Sequence, residues 1–109
     1  MRSTNLPPEC CDAIFLRDVY HHLTDPQGID ASLLAALKPA GRLAIMDFPP
    51  DPGSTIPDGV PANRGVHGIP IAIIVSELTA AGFRHVTTLA RWPPEDDRNR
   101  LFLVMFEKP

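Results

Sequence analysis

The sequence contains no Gly-x-Gly anywhere. A glycine-rich loop lets backbone approach a bound cofactor closely at a helix start, and no other segment here can substitute for one. No apolar run approaches the roughly 20 residues that a membrane helix needs, so no membrane partner is expected. The polar N-terminus carries no signal-peptide apolar core, and a cytoplasmic location is expected. Lysine is scarce, with only Lys38 and Lys108. The basic residues form no patch or stripe, and the net charge is −3. Nucleic acid is therefore not an expected partner. There are no internal repeats. Cys10 and Cys11 are the only cysteines, and they lack the C-x-x-C spacing of a redox or zinc pair. A bridge between neighbours is strained, so two unpaired thiols are expected at the mouth of the first strand.

What is present fits one domain. A chain of 109 residues, 44% hydrophobic, can bury a single core. Residues 13–16 and 43–46 are unbroken apolar runs. Such runs fit strands buried on both faces, as in parallel sheets covered by helices. A crossover helix fits between them, giving one strand–helix–strand unit. The residues just after its first strand lie where open α/β sheets bind ligands.

In chain order, residues 1–11 are an extended lead-in and 12–17 the first strand. Thr24-Asp25-Pro26 reads as a capped helix start. Ile29, Leu33 and Leu37, with Leu34 beside them, give a helix over 26–37 one apolar stripe. Pro39 stops it, Gly41 supplies the turn, and 42–48 is the second strand. Residues 49–61 carry five prolines and two glycines, which no regular element survives. A long loop (49–68) of this kind inside a compact domain is more often a lid or binding loop than a mere connection. A second helix spans 70–81, with Gly82 as its C-cap. Strands at 84–90 and 101–106 follow, joined by a polar turn at 92–100 with Trp92 packed at its base. About ten non-helical residues cannot make a parallel crossover, so that pair should be antiparallel. The fold class is α/β: two parallel strands, a C-terminal antiparallel hairpin and two helices.

The pattern resembles the C-terminal half of class I S-adenosylmethionine-dependent methyltransferases of the small-molecule type. The matching residues are Leu6-Pro7-Pro8, Asp12-Ala13-Ile14-Phe15, Val19-Tyr20-His21-His22-Leu23, Leu37-Lys38-Pro39-Ala40-Gly41-Arg42-Leu43, Asp47-Phe48 and Ala80-Ala81-Gly82-Phe83. They cover nearly the whole chain as a single partial domain, 1–109. Ala40 stands where the family usually has a first glycine. The resemblance implies a partial Rossmann-like sheet whose last four strands lie in the order fourth, fifth, seventh, sixth. The family's glycine-rich cofactor loop and its ribose-binding acidic residue have no counterpart here.

The resemblance also implies a site. Residues closing the family's fourth strand touch the methionine end of S-adenosylmethionine, which names Leu16, Arg17, Val19 and His22 as cofactor-binding in the complete domain. Tyr20 and His21, read as facing away from His22, are substrate-side candidates, as is Asp47 at the end of the second strand; each could instead be a packing or capping residue. His67, after the proline-rich loop, is the catalytic candidate, because imidazole titrates near neutrality; the plain alternative is a solvated loop histidine. Asp18 reads as a turn residue. No metal is expected, since adjacent histidines rarely converge on one ion and His21, His22 and Asp25 would have to.

Two functions compete. One is a methyltransferase fragment acting on a small-molecule acceptor. The alternative is a non-catalytic half-domain that acts only by pairing with another chain. In either case the first strand's open edge predicts self-association or pairing with a missing N-terminal half.

Overall fold

The computed structural model describes residues 2–93 and 100–109. Strand β1 (Cys11–Arg17) is followed by a short 3-10 turn at Tyr20–His22 and helix α1 (Pro26–Ala36). Strand β2 (Leu37–Asp47), helix α2 (Ile71–Ala81), and strands β3 (Arg84–Leu89) and β4 (Phe102–Glu107) complete the order. The sheet order is β1-β2-β4-β3. β1 and β2 are parallel; β4 runs antiparallel to both β2 and β3. This is the mixed α/β sheet expected from the sequence. Among the described residues, no helix is long and apolar enough to cross a membrane.

Local chemistry sets the boundaries. Asp25 caps α1 by accepting from the Gly28 N–H at 3.2 Å, and Pro26 occupies the first helical position. α2 ends at Gly82, whose φ of +114° is a left-handed conformation that glycine adopts freely. α1 ends at Ala36 and β2 starts at Leu37, which the sequence had placed in the helix; within β2 the left-handed residue is Ala40, at φ +66°, not Gly41. Gly41 serves close approach instead: a Cβ there would lie 2.7 Å from the Lys38 carbonyl oxygen. β2 begins at Leu37, but regular pairing with β1 runs only from Arg42↔Ala13 to Met46↔Arg17, after an irregularity.

Both helices cover the same face of the sheet. Ile29 and Leu33 of α1 and Ile74 and Leu78 of α2 pack with Leu43, Ile45, Val104 and Phe106 in one buried cluster. The sequence had suggested strands buried on both faces; the structure corrects this. In β1, Ile14 and Leu16 are half-buried against the core, while Ala13, Phe15 and Arg17 point to solvent. Phe15 is 55% exposed. Two helices suffice for one face only, so an apolar run on both faces leaves one open.

The lead-in does not shield the β1 edge. It lies along α1, with the Glu9 N–H donating to the Ala35 carbonyl at 2.8 Å and Thr4 bonded to Ser32. The expectation of free thiols is overturned, because Cys10 and Cys11 are paired with each other. Cys10 precedes the strand, so the alternation that would point neighbours to opposite faces does not bind it. Trp92 is 38% exposed rather than packed. Its backbone N–H donates to the Leu101 carbonyl at 2.9 Å across the hairpin. Residues 94–99 of the expected turn lie outside the described residues.

Candidate functional site

The C-terminal ends of the two parallel strands meet at a cluster of polar side chains. β1 stops at Arg17. Asp18 follows at φ +56°, its N–H held by the Met46 carbonyl at 2.9 Å. That bond turns the chain off the sheet into the 3-10 turn, where His22 N–H bonds Val19 C=O at 2.9 Å. β2 stops at Asp47, which is fully buried. Its carboxylate accepts from the His21 backbone N–H at 3.1 Å, the His21 ring Nδ1 at 2.8 Å and the Phe48 N–H at 2.9 Å. Burial nevertheless outweighs these bonds and raises the Asp47 carboxyl to about 6. Burial, followed by the nearby His67, lowers the His21 imidazole below its usual range. His22 is lowered for the same reasons, burial first and then its two histidine neighbours.

His67 arrives from the far end of the proline-rich loop. Asp51 N–H donates to the His67 carbonyl at 2.8 Å, His67 N–H donates to Ser54 Oγ at 3.0 Å, and Ile69 N–H donates to the Phe48 carbonyl at 3.0 Å. These bonds pin the loop's two ends together beside β2. Gly68 makes this approach possible: a Cβ there would lie 2.5 Å from the Pro49 carbonyl oxygen. His67 therefore sits with its ring 4.9 Å from that of His21 and 5.0 Å from that of Phe48, both nearly edge-on. A cavity of about 300 Å³ opens here, lined by Arg17, Asp18, Phe48, Asp51, His67 and Arg100. Two arginines and two aspartates line it, and Arg100 also stacks over the Phe48 ring at 5.4 Å.

The residues singled out from the sequence separate into two groups. Arg17, His21, His22, Asp47 and His67 come together at this strand end. Leu16 is half-buried against the core, and its chain neighbour Arg17 reaches the cavity. Val19 is 46% exposed beside the turn. His21 and His22 do not face opposite ways; their rings lie 4.0 Å apart. Tyr20 is the residue that departs. Its ring is fully buried and its hydroxyl lies 2.9 Å from Asp30 and 3.0 Å from Glu77.

Tyr20 belongs to a second cluster that sequence reasoning missed. Arg64, 2% exposed, bonds Glu77 through Nε at 3.0 Å and Nη2 at 2.9 Å. Its Nη1 donates to the Tyr20 and Leu23 carbonyls, each at 3.2 Å, and its guanidinium stacks over the Tyr20 ring at 5.1 Å. Burial raises the Asp30 carboxyl to about 7 and pushes the Tyr20 phenol up as well. One guanidinium cannot balance two ionised carboxylates, so a protonated Asp30 fits the arrangement. A larger cavity, about 450 Å³, borders this cluster. In its wall Arg64 is bonded to Glu77, and Asp30 to Tyr20. The strand-end cavity pairs its charges only at long range, Arg17 with Asp18 at 3.9 Å and Arg100 with Asp51 at 4.0 Å.

The model of the methyltransferase domain family matches residues 1–45. Among curated proteins, none matches the sequence. Solved structures match the fold over nearly the whole chain. A methyltransferase dependent on S-adenosylmethionine from Aquifex aeolicus superposes with a TM-score of 0.70 at 21% identity, covering 99% of this chain. The cyclase SpnF gives a TM-score of 0.71 at 16% identity over 99% of this chain. The 1,6-didemethyltoxoflavin N1-methyltransferase of Burkholderia thailandensis gives 0.66 at 20% identity over 93%. The chain spans only 51%, 54% and 45% of those three structures' own lengths. Its helices and mixed sheet form part of the Rossmann-like fold of S-adenosylmethionine-dependent methyltransferases, and its first 45 residues carry the sequence pattern of the methyltransferase domain.

Proposed function

We propose that this chain supplies the acceptor side and the methionine end of a site for methyl transfer from S-adenosylmethionine to a small molecule. The observation that carries this reading is the cavity at the C-terminal ends of β1 and β2, where Asp18, Arg17 and His67 meet. The residues fit one end of the cofactor. Asp18 and Asp51 suit an ammonium group, and Arg17 and Arg100 suit a carboxylate. The adenosine end has no matching element, because no Gly-x-Gly is available for close backbone approach.

S-adenosylmethionine supplies an electrophilic methyl on its sulfonium. The protein's own work is positioning, since the transfer is an in-line displacement. Phe48 walls the cavity on one side. His67 is placed to accept the proton that an O–H or N–H acceptor loses. Asp47 fixes His21 and thereby the floor on which His67 rests. A small-molecule acceptor is supported by the cavity's size and by the bound 1,6-didemethyltoxoflavin of the Burkholderia thailandensis relative.

Titration of the chain alone with S-adenosylmethionine, followed by amide NMR, tests this reading. The expected affinity is weaker than about 0.1 mM, with shifts confined to residues 16–22 and 67. Low-micromolar binding, about −8 kcal/mol, would overturn the partial-site reading. No shift at any concentration would favour the non-catalytic half-domain, which the missing glycine loop supports.

A further inference from the structure

Among the described residues, one buried side-chain polar atom has no hydrogen-bond partner: Nε2 of His21. The His21 side chain is 2% exposed, so water does not freely satisfy it. A buried polar atom left unpaired carries a desolvation cost that no bond offsets. Packing alone does not explain such a cost at a strand end.

The surroundings of that atom are specific. His21, His22 and His67 each offer one ring nitrogen, and these nitrogens all lie within 4.8 Å of one another. The two adjacent histidines converge because the 3-10 turn brings their rings to 4.0 Å. The third comes from the far end of the pinned loop. Asp47 holds the other nitrogen of His21, Nδ1, at 2.8 Å. An ionised carboxylate only accepts, so Nδ1 carries the proton and Nε2 presents a lone pair. A carboxylate that orients one ring nitrogen so that the other can ligate is the recurring support of metal-bound histidine.

We propose that His21, His22 and His67 bind a divalent first-row transition-metal ion, with zinc as the expected occupant. Zinc takes imidazole nitrogens at about 2.0–2.1 Å, and three protein ligands leave a fourth position open. Tetrahedral geometry then needs nitrogens about 3.4 Å apart, so the cluster, now within 4.8 Å, must tighten by up to about 1.4 Å. Solvent-exposed His22 and half-exposed His67 can move by that amount, while buried His21 anchors the site. The same exposure gives the ion an entry path. His67 also lines the cavity of Arg17 and Asp18, so the open position has a space in which water or a small oxygen ligand can sit. Carboxylates of Asp47 and Asp18 add negative charge nearby. The inference does not rest on methyl transfer; it would hold for a chain that binds no S-adenosylmethionine.

The test uses the full chain, stripped with chelator and titrated with zinc chloride against a chromophoric competitor. The expected result is one ion per chain, bound more tightly than about 10 μM. His22→Ala and His67→Ala, at solvent-accessible positions, are each expected to weaken binding at least tenfold with an unchanged circular dichroism spectrum. Cobalt(II) should give visible bands without a thiolate charge-transfer band, which separates this site from Cys10 and Cys11. No saturable binding below about 1 mM, wild-type affinity retained in both variants, or a thiolate band would each overturn the proposal.

Discussion

Tyr20 and His21 are neighbours in one short turn, yet they enter two buried clusters of opposite character. The Tyr20 cluster closes on itself: Arg64 spends its donors on Glu77 and two carbonyls, and Tyr20 is bonded to both carboxyl groups. The His21 cluster stays open: Asp47 is saturated, but the outer nitrogen of His21 is bonded to nothing. Depth does not distinguish them, since both are buried. Satisfaction does. A completed network locks α1, α2 and the proline-rich loop together, whereas an incomplete one keeps capacity for a ligand.

The largest expected effect breaks the closed cluster. Arg64→Ala should cost about 3 kcal/mol, because it leaves half-buried Glu77 beside buried Asp30 without a cation and empties the space of a buried side chain. His22→Ala, in the open cluster and exposed, should stay within about 0.5 kcal/mol. Urea unfolding of both variants measures this, and equal losses would erase the distinction. Next comes pH. Asp30 has a folded-state value of about 7 against an ordinary 3.8, so the folded protein holds the extra proton between those values. Stability from this group is complete below about 4 and falls as pH rises towards 7, by at most about 4 kcal/mol. Tyr20, Glu77 and Arg64 are the groups facing it. Asp30→Asn should flatten that slope in thermal melts; a slope unchanged would remove Asp30 as its source.

The open cluster is probed by rate rather than by stability. In an enzyme formed by joining this chain to a half that binds the cofactor's adenosine end, His67→Ala should slow turnover about 100-fold and leave cofactor affinity nearly constant. An unchanged rate with every acceptor tried would take His67 out of the site. The smallest effect calibrates the rest. Ala40, at φ +66°, touches neither cluster. Ala40→Gly should stabilise the protein by about 1 kcal/mol, since glycine relieves the left-handed strain. Differential scanning calorimetry reads it, and a destabilised variant would show that the unfolded-chain entropy of glycine prevails.

The architecture was legible because punctuation and periodicity agreed. Pro26, Pro70 and Gly82 bracket apolar stripes, although α1 stops at Ala36, before Pro39, and the short link before β4 permitted only an antiparallel hairpin. The sequence also pointed to the end of β1, where the His pair lies. It could not join His67 to that pair, because the join depends on how a proline-rich loop closes, which no spacing encodes. The Arg64 network was missed although a signal existed. Asp30 lies beside Ile29 in the α1 stripe and Glu77 beside Leu78 in α2, so each places an acidic group on a core-facing helix. A carboxylate in an apolar stripe asks for a buried cation, and Arg64 answers from 34 residues beyond Asp30. Misreading β1 as covered on both faces had a different cause: the run's composition reports what the strand could bury, not which helices are there to bury it.

That open strand makes heat resistance a function of how much protein is in the tube. Among the described residues β1 pairs with β2 alone, and Phe15 lies bare beside its free edge. If two copies join along that edge, folded chains are drawn off by mass action, and the melting temperature climbs with concentration. A monomer's midpoint would not move. Phe15→Ser should flatten the climb, and light scattering across the same series should lose its concentration-dependent growth. A wild-type midpoint that holds constant over a hundredfold dilution would mean that the bare edge remains unpaired in solution.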